Sequence, residues 1–173
     1  MAIAFVVIAA LAAFFGLVLR RPDEFRVERS ARIDAPPERI YPHIADFHAW
    51  SAWSPYEKYD PTMTRTHGGA PSGTGAVYEW KGNAKVGQGR MEIVDTAAPT
   101  SVTVKLDFIK PFEAHHTAQF TLVPAGTATD VTWSMHGLSP FVTKAMGVFV
   151  NMDKMIGRDF ERGLGSLKTL VQG

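Results

Sequence analysis

SPFVTKAMGVFVNMDKMIGRDFERGLGSLKTLVQ, running from Ser139 to Gln172, is the stretch that decides the fold. Pro140 stands where a first helical turn begins, a position that tolerates its missing N–H. Beyond it, Phe149, Met152, Ile156, Phe160, Gly163, Leu167 and Leu170 recur at steps of three or four and share one face. Val148 and Met155 widen that stripe, while Asp153, Lys154, Arg158, Glu161, Arg162 and Lys168 fall mostly opposite. The spacing predicts one long amphipathic helix, and such a helix needs an apolar surface to cover. Gly163 and Gly165 each cost helix stability, roughly 1 kcal/mol relative to alanine, which points to close packing against that surface.

The segment between Glu24 and Gly137 supplies the surface. Period-two alternation predicts strands over 23–34, 76–81, 86–96, 101–110, 113–124 and 129–137, with a weaker strand around 63–66. Val102, Val104, Leu106 and Phe108 alternate with Thr103, Lys105 and Asp107, the cleanest example. Short turns between such strands mean antiparallel hairpins with one wet face. After the first strand, Ala35-Pro36-Pro37-Glu38 opens a short helix from 36 to about 45, distorted by Pro42. A second short turn covers 47–53 and stops at Ser54-Pro55. The expected fold is α+β: an antiparallel curved sheet of about six or seven strands wrapped around the long C-terminal helix, with a binding cavity between them.

Composition excludes several functions. Net charge is +1, so no basic excess marks a nucleic-acid surface. The chain has no cysteine, which removes disulfides, thiolate metal sites and thiol nucleophiles. Residues 68–75 are glycine-rich, but no Lys-Ser/Thr follows and no helix opens behind them, so they read as a hairpin loop and not a phosphate loop. His115 and His116 are neighbours on a strand, point to opposite faces and cannot share a metal without distortion. No metal site, cofactor site or catalytic set emerges. Tyr78 and His116 are the only titratable residues with inward parity on the later strands, and neither shows a neighbour in sequence that would tune it.

Ala2 to Leu19 carries no charge and no strongly polar group. As a helix it spans ~27 Å at about 1.5 Å per residue, close to a bilayer core of ~30 Å. Residues 1–21 are therefore expected to form a transmembrane anchor and 22–173 a separate domain. Arg20-Arg21 on the C-terminal side places that domain in the cytoplasm by the positive-inside rule.

Several motifs resemble one superfamily. Val27 to Ser30 and Ile33 to Glu38 are similar to its first strand and helix entry. Asp46-Phe47 through Trp50 and Trp53-Ser54-Pro55 resemble its D-x-x-x-W…W-S-P segment. Gly73 to Ala76, Tyr78 to Trp80, Gly87 to Gly89, Gly126-Thr127 before Val131 to Trp133, and Phe160 to Lys168 match further positions. The chain thus resembles the START-like superfamily, and within it the polyketide cyclase/dehydrase group called SRPBCC, over about residues 25–171. The resemblance implies the helix-grip fold. It also implies a small hydrophobic or lipid-like ligand, held at a membrane by the N-terminal segment. A cyclase or aromatase, or a membrane-tethered interaction module, are the alternatives the superfamily implies. Trp50, Trp53, Tyr78, Trp80, Phe108, His116, Trp133, Met135, Phe149, Met152 and Met155 are the expected cavity residues, since aromatic and methionine side chains suit an apolar ligand. Oligomeric state is left open.

Overall fold

In the computed structural model, which describes residues 2–173, seven strands form one antiparallel sheet. They are β1 (Glu24–Ile33), β2 (Thr64–Gly69), β3 (Ala76–Lys81), β4 (Gln88–Ala97), β5 (Ser101–Lys110), β6 (Ala114–Ala125) and β7 (Ala128–Leu138). Their order across the sheet is β1-β7-β6-β5-β4-β3-β2. Five hairpins build the run from β2 to β7, and β1 closes on β7, with Val27 facing Met135 and Arg29 facing Trp133. The α+β helix-grip architecture expected from the sequence is present.

Three helices lie between β1 and β2: α2 (Pro37–Ala45), α3 (Trp50–Trp53) and α4 (Pro55–Tyr59), with a single tight turn at Phe47–Ala49. The sequence reading stopped at Ser54-Pro55 and missed α4. Pro55 is its first residue, a position where the absent N–H costs nothing.

The C-terminal stretch is two helices, not one. These are α5 (Phe141–Phe149) and α6 (Met152–Gln172). Val150 and Asn151 leave helical geometry, and the Asn151 side chain accepts a hydrogen bond from the Lys154 amide at 3.0 Å, capping α6. Only α6 reaches the sheet. It buries Gly157, Phe160, Gly163, Leu164, Leu167 and Val171, while α5 buries nothing fully. The buried stripe ends on Val171 and not Leu170, as a 3.6-residue repeat requires over this length.

Alternation along the strands holds. Val102, Val104 and Leu106 are buried, as are Ala118, Phe120 and Leu122, and Val131, Trp133 and Met135. The opposite face carries ion pairs, among them Arg90 with Glu92 at 2.8 Å and Lys105 with Asp107 at 3.0 Å. The glycine-rich loop joins β2 to β3, and Gly69, Gly73 and Gly75 there take positive φ.

The N-terminal segment corrects an expectation. It forms α1 (Ala2–Leu19), yet no helix among the described residues is long and apolar enough to cross a membrane. Eighteen residues fall a few ångströms short of a ~30 Å bilayer core. The far end of α1 is also committed to the chain itself. Phe14 stacks on Phe149 at 5.9 Å, Phe15 on Phe141 at 6.0 Å, and Val18 is fully buried. The single-pass anchor and the cytoplasmic placement that depended on it are therefore withdrawn.

Candidate functional site

The inward face of the sheet divides into two regions. The first is closed. Trp133 on β7 stacks on Phe160 of α6 with centroids 4.0 Å apart and planes at 8°. Phe120, Trp50 and Trp53 surround Trp133 at 4.9, 6.4 and 5.6 Å. Gly163 allows this closeness, since a Cβ there would press on Trp133 and Pro55. The indoles of Trp50 and Trp53 donate to the carbonyls of Ile44 and His43, each at 2.9 Å, and so pin α3 to α2. These two expected cavity residues hold the fold's helices together. The Trp133 Nε1–H is buried and meets no partner among the described residues.

The second region lies toward the other end of the sheet, where α6 does not reach. Here glycines and aromatic rings alternate across the strands. Trp80 faces Gly89, which faces Phe108; His116 faces Gly137, which faces Phe25. The Trp80 ring covers Gly89 and the His116 ring covers Gly137 so tightly that a Cβ at either glycine would overlap the ring. Phe25 meets His116 edge-on at 4.7 Å, and Phe108 flanks it at 5.7 Å. Met91 and Leu106 continue the floor at 9% exposure each, and Met135 at 6%.

His116 is the polar exception in this floor. Its Nδ1 is buried and finds no hydrogen-bond partner among the described residues, and burial lowers its pKa from the ordinary histidine value. It is therefore a neutral ring with one unused polar atom. His115, on the other face, donates through Nδ1 to Asp107 Oδ1 at 2.7 Å, so the two histidines are separated as strand parity requires.

Tyr78 has a neighbour that the sequence did not reveal. Its hydroxyl donates to Glu57 Oε1 at 2.5 Å, and Arg65 Nε donates to Glu57 Oε2 at 2.6 Å. The Glu57 side chain is only 8% exposed. Burial, then the Glu57 hydrogen bond, raises the Tyr78 pKa, so the phenol stays protonated. Glu57 lies on α4, the helix missed above. The signal was Pro55 at a first helical turn followed by an acidic residue.

Three expected residues lie apart from this floor. Phe149 is 79% exposed and stacks on Phe14 of α1; Met155 is 47% exposed; Met152 is half-buried at the start of α6. The break at Val150 turns α5 away from the sheet. Two open concavities lie elsewhere. One of about 390 Å³ sits between α4 and α6, and one of about 150 Å³ sits beside Phe47, His48 and His67. In the latter the His48 and His67 rings stack at 4.1 Å. No group of three or more metal-ligating side chains converges among the described residues.

Solved structures share this architecture. The KanY protein superposes with a TM-score of 0.65 at 19% identity, covering 87% of this chain and 99% of its own. A protein from Chromobacterium violaceum gives 0.61 at 16% identity, covering 88% and 99%. The di-domain ARO/CYC BexL from the BE-7585A biosynthetic pathway gives 0.64 at 17% identity, with 99% of this chain matched to 59% of BexL. At these identities the likeness is one of fold. No curated relative matches the chain. The model of the family described as polyketide cyclase / dehydrase and lipid transport matches residues 24–172. From β1 to the last turn of α6, then, the chain is a member of the polyketide cyclase / dehydrase and lipid transport family.

Proposed function

We propose that the protein binds a small, largely apolar organic molecule, lipid-like in character, on the sheet floor around His116. The observation that carries this reading is the buried His116 Nδ1 without a partner, set among Phe25, Phe108 and Trp80. An unpaired buried polar atom costs about 1–3 kcal/mol. Nδ1 lies over Gly137, and a turn of the ring would bring it to a ligand hydroxyl or carbonyl that recovers this cost. Membership in a family that includes lipid transport supports the same reading. Tyr78, Trp80, Phe108, His116 and Met135 would supply the contacts. Trp50, Trp53 and Trp133 would form the closed end of the site, while Met152, Met155 and Phe149, the last stacked on Phe14, lie apart from it.

The test is native mass spectrometry of protein purified intact from its source, followed by extraction and identification of retained small molecules. A stoichiometric apolar adduct that is lost in His116→Ala and Phe108→Ala supports the reading. Bare protein under gentle ionisation, together with no thermal shift from any member of an apolar compound library, defeats it.

A second reading has its own observation. The Tyr78–Glu57–Arg65 chain is a buried ionisable set at the edge of the same floor, as a cyclase acid would need. Tyr78 would turn its single O–H from Glu57 to a substrate carbonyl and polarise it by that hydrogen bond, while Arg65 balances the Glu57 charge. Under that reading Tyr78→Phe abolishes turnover of a poly-β-ketone substrate and leaves both fold and ligand binding intact. Under the binding reading Tyr78→Phe changes affinity only slightly.

A further inference from the structure

Gly165 is a mid-helix glycine with no packing reason to be one. Its neighbour Gly163 is buried against Trp133 and Pro55, but a Cβ at Gly165 would meet nothing within 4 Å. Glycine inside an exposed helix lowers stability relative to alanine. Close packing with the sheet, the expectation from sequence, therefore applies to Gly163 and not to Gly165.

What Gly165 does is floor the larger concavity, about 390 Å³ in volume, between α4 and α6. Arg162, Gly165, Ser166 and Thr169 follow one another at helical spacing along one wall, and Lys58 and Tyr59 form the other. Both cations are available. Lys58 makes no ion pair or hydrogen bond among the described residues. Arg162 uses one nitrogen, donating to the Tyr59 hydroxyl at 3.2 Å with Asp159 at 3.7 Å, and its side chain remains 66% exposed. Asp159, the nearby carboxylate, is turned to the Tyr59 hydroxyl at 2.5 Å and does not line the space. The lining thus offers two positive charges and the Ser166 hydroxyl, and no carboxylate; the Tyr59 hydroxyl donates to Asp159 and the Thr169 hydroxyl to the Gly165 carbonyl.

We propose that this groove is a second ligand site, distinct from the sheet floor, that takes a small molecule carrying a phosphate group. Lys58 and Arg162 neutralise the phosphate, the guanidinium through its unused N–H groups. Ser166 donates to a remaining oxygen, and Thr169 does so by releasing the Gly165 carbonyl, to which its hydroxyl donates at 3.1 Å. Gly165 keeps the helix surface low enough for the group to approach.

The test is a titration of isotope-labelled full-length protein, followed by amide chemical shifts, with inorganic phosphate, glycerol 3-phosphate, dihexanoyl phosphatidic acid and acetate. The three phosphates are expected to shift the amides of Gly165, Ser166 and Thr169, and to do so less as salt rises. Tighter binding of the short-chain lipid than of glycerol 3-phosphate assigns the group to a lipid headgroup, and the reverse assigns it to a soluble metabolite; either supports the site. Lys58→Gln, at an exposed residue whose side chain makes no ion pair or hydrogen bond among the described residues, is expected to weaken binding about tenfold or more, the loss of one charge-assisted bond. Gly165→Ala is expected to raise the melting temperature by ~2–4 °C while weakening binding. Three results would overturn the proposal: no shift at these amides, equal shifts with acetate, or a stabilised Gly165→Ala that titrates like the parent.

Discussion

The Arg29 guanidinium lies directly beneath Gly157. Arg29 points inward from β1, and a Cβ on Gly157 would overlap its guanidinium. Asp153 and Glu161, one turn to either side of Gly157 on the same face of α6, both bind it: Nη2 meets Asp153 at 3.1 Å and Nε meets Glu161 at 2.8 Å. The spacing of acid, glycine and acid at four-residue steps forms a notch with a negative rim. It fixes α6 on the sheet's edge strand. Gly157→Ala is expected to destabilise by about 1–3 kcal/mol through overpacking, although alanine is the better helix former. Urea denaturation measures it, and a variant as stable as the parent would show that the notch does not set the packing.

Acid should loosen the same contacts. Hydrogen bonds from Arg29, Arg32 and Lys144 hold Asp153, Asp130 and Asp23 below the usual aspartate pKa. For Asp107 burial works upward, but the bonds from His115 and Lys105 prevail and its pKa is also lowered. A depressed aspartate pKa gives stability that is complete above the unfolded value of ~3.9 and is lost as pH falls through the folded value. The denaturant midpoint should be level from pH 6 to about 5 with respect to these groups and drop below pH ~4, less steeply in high salt. A midpoint unchanged down to pH 2.5 contradicts it.

His116 adds a separate window. Its pKa is lowered by burial, so the unfolded chain takes up that proton first. Stability from keeping the ring neutral is complete above the unfolded value of ~6.5 and declines as pH falls from there toward the folded value. His116→Phe should remove this decline while leaving the aspartate-driven loss at lower pH. Comparing the two stability profiles between pH 7.5 and 4.5 decides the point, and superimposable slopes would assign the decline to another group.

Gly137→Ala should disturb the same ring from below. Its new methyl would overlap His116 Nδ1 and crowd the His115 carbonyl, which lies 2.9 Å away and belongs to the backbone. A cost of about 1–3 kcal/mol is expected, along with weakened retention of any apolar ligand. Trp133→Ala, by contrast, removes the partner of Phe160 in the closed core and should cost about 3–5 kcal/mol. Chemical denaturation read by near-ultraviolet circular dichroism separates the two. If Gly137→Ala proves neutral in both stability and retention, the covered-glycine arrangement does not shape the site.

Strand parity carried most of the fold. It placed Val102, Leu106, Phe120 and Trp133 inside and Lys105 and Asp107 outside, because a half-buried sheet imposes a period of two on the chain. The covering helix was legible for the same reason at a different period. Its break was not, since Phe149, Met152 and Ile156 carry the apolar rhythm across Val150 and Asn151, and only the Asn151 cap shows where α6 starts. The error over α1 has another cause: a run of uncharged residues reads alike whether or not it is long and apolar enough to cross a bilayer, and the packing of its last turns on Phe141 and Phe149 leaves no mark in its pattern. His116 could be assigned a face but not an unpaired atom. Glu57 escaped notice because its link to Tyr78 spans two elements with no shared pattern.

The pairing of β1 with β7 joins the beginning of the family domain to nearly its end. Ile33 pairs with Thr129, and no nearer strand offers β1 a neighbour. On the ribosome β1 must wait for about 95 residues of further synthesis, roughly 5–20 s at typical elongation rates. During that interval the hairpins from β2 to β6 can already form, each from local contacts. The nascent chain therefore carries an orphan strand ahead of its hairpins. Arg26, Glu28, Arg29 and Arg32 give that strand a charge density that discourages association with other chains until β7 emerges.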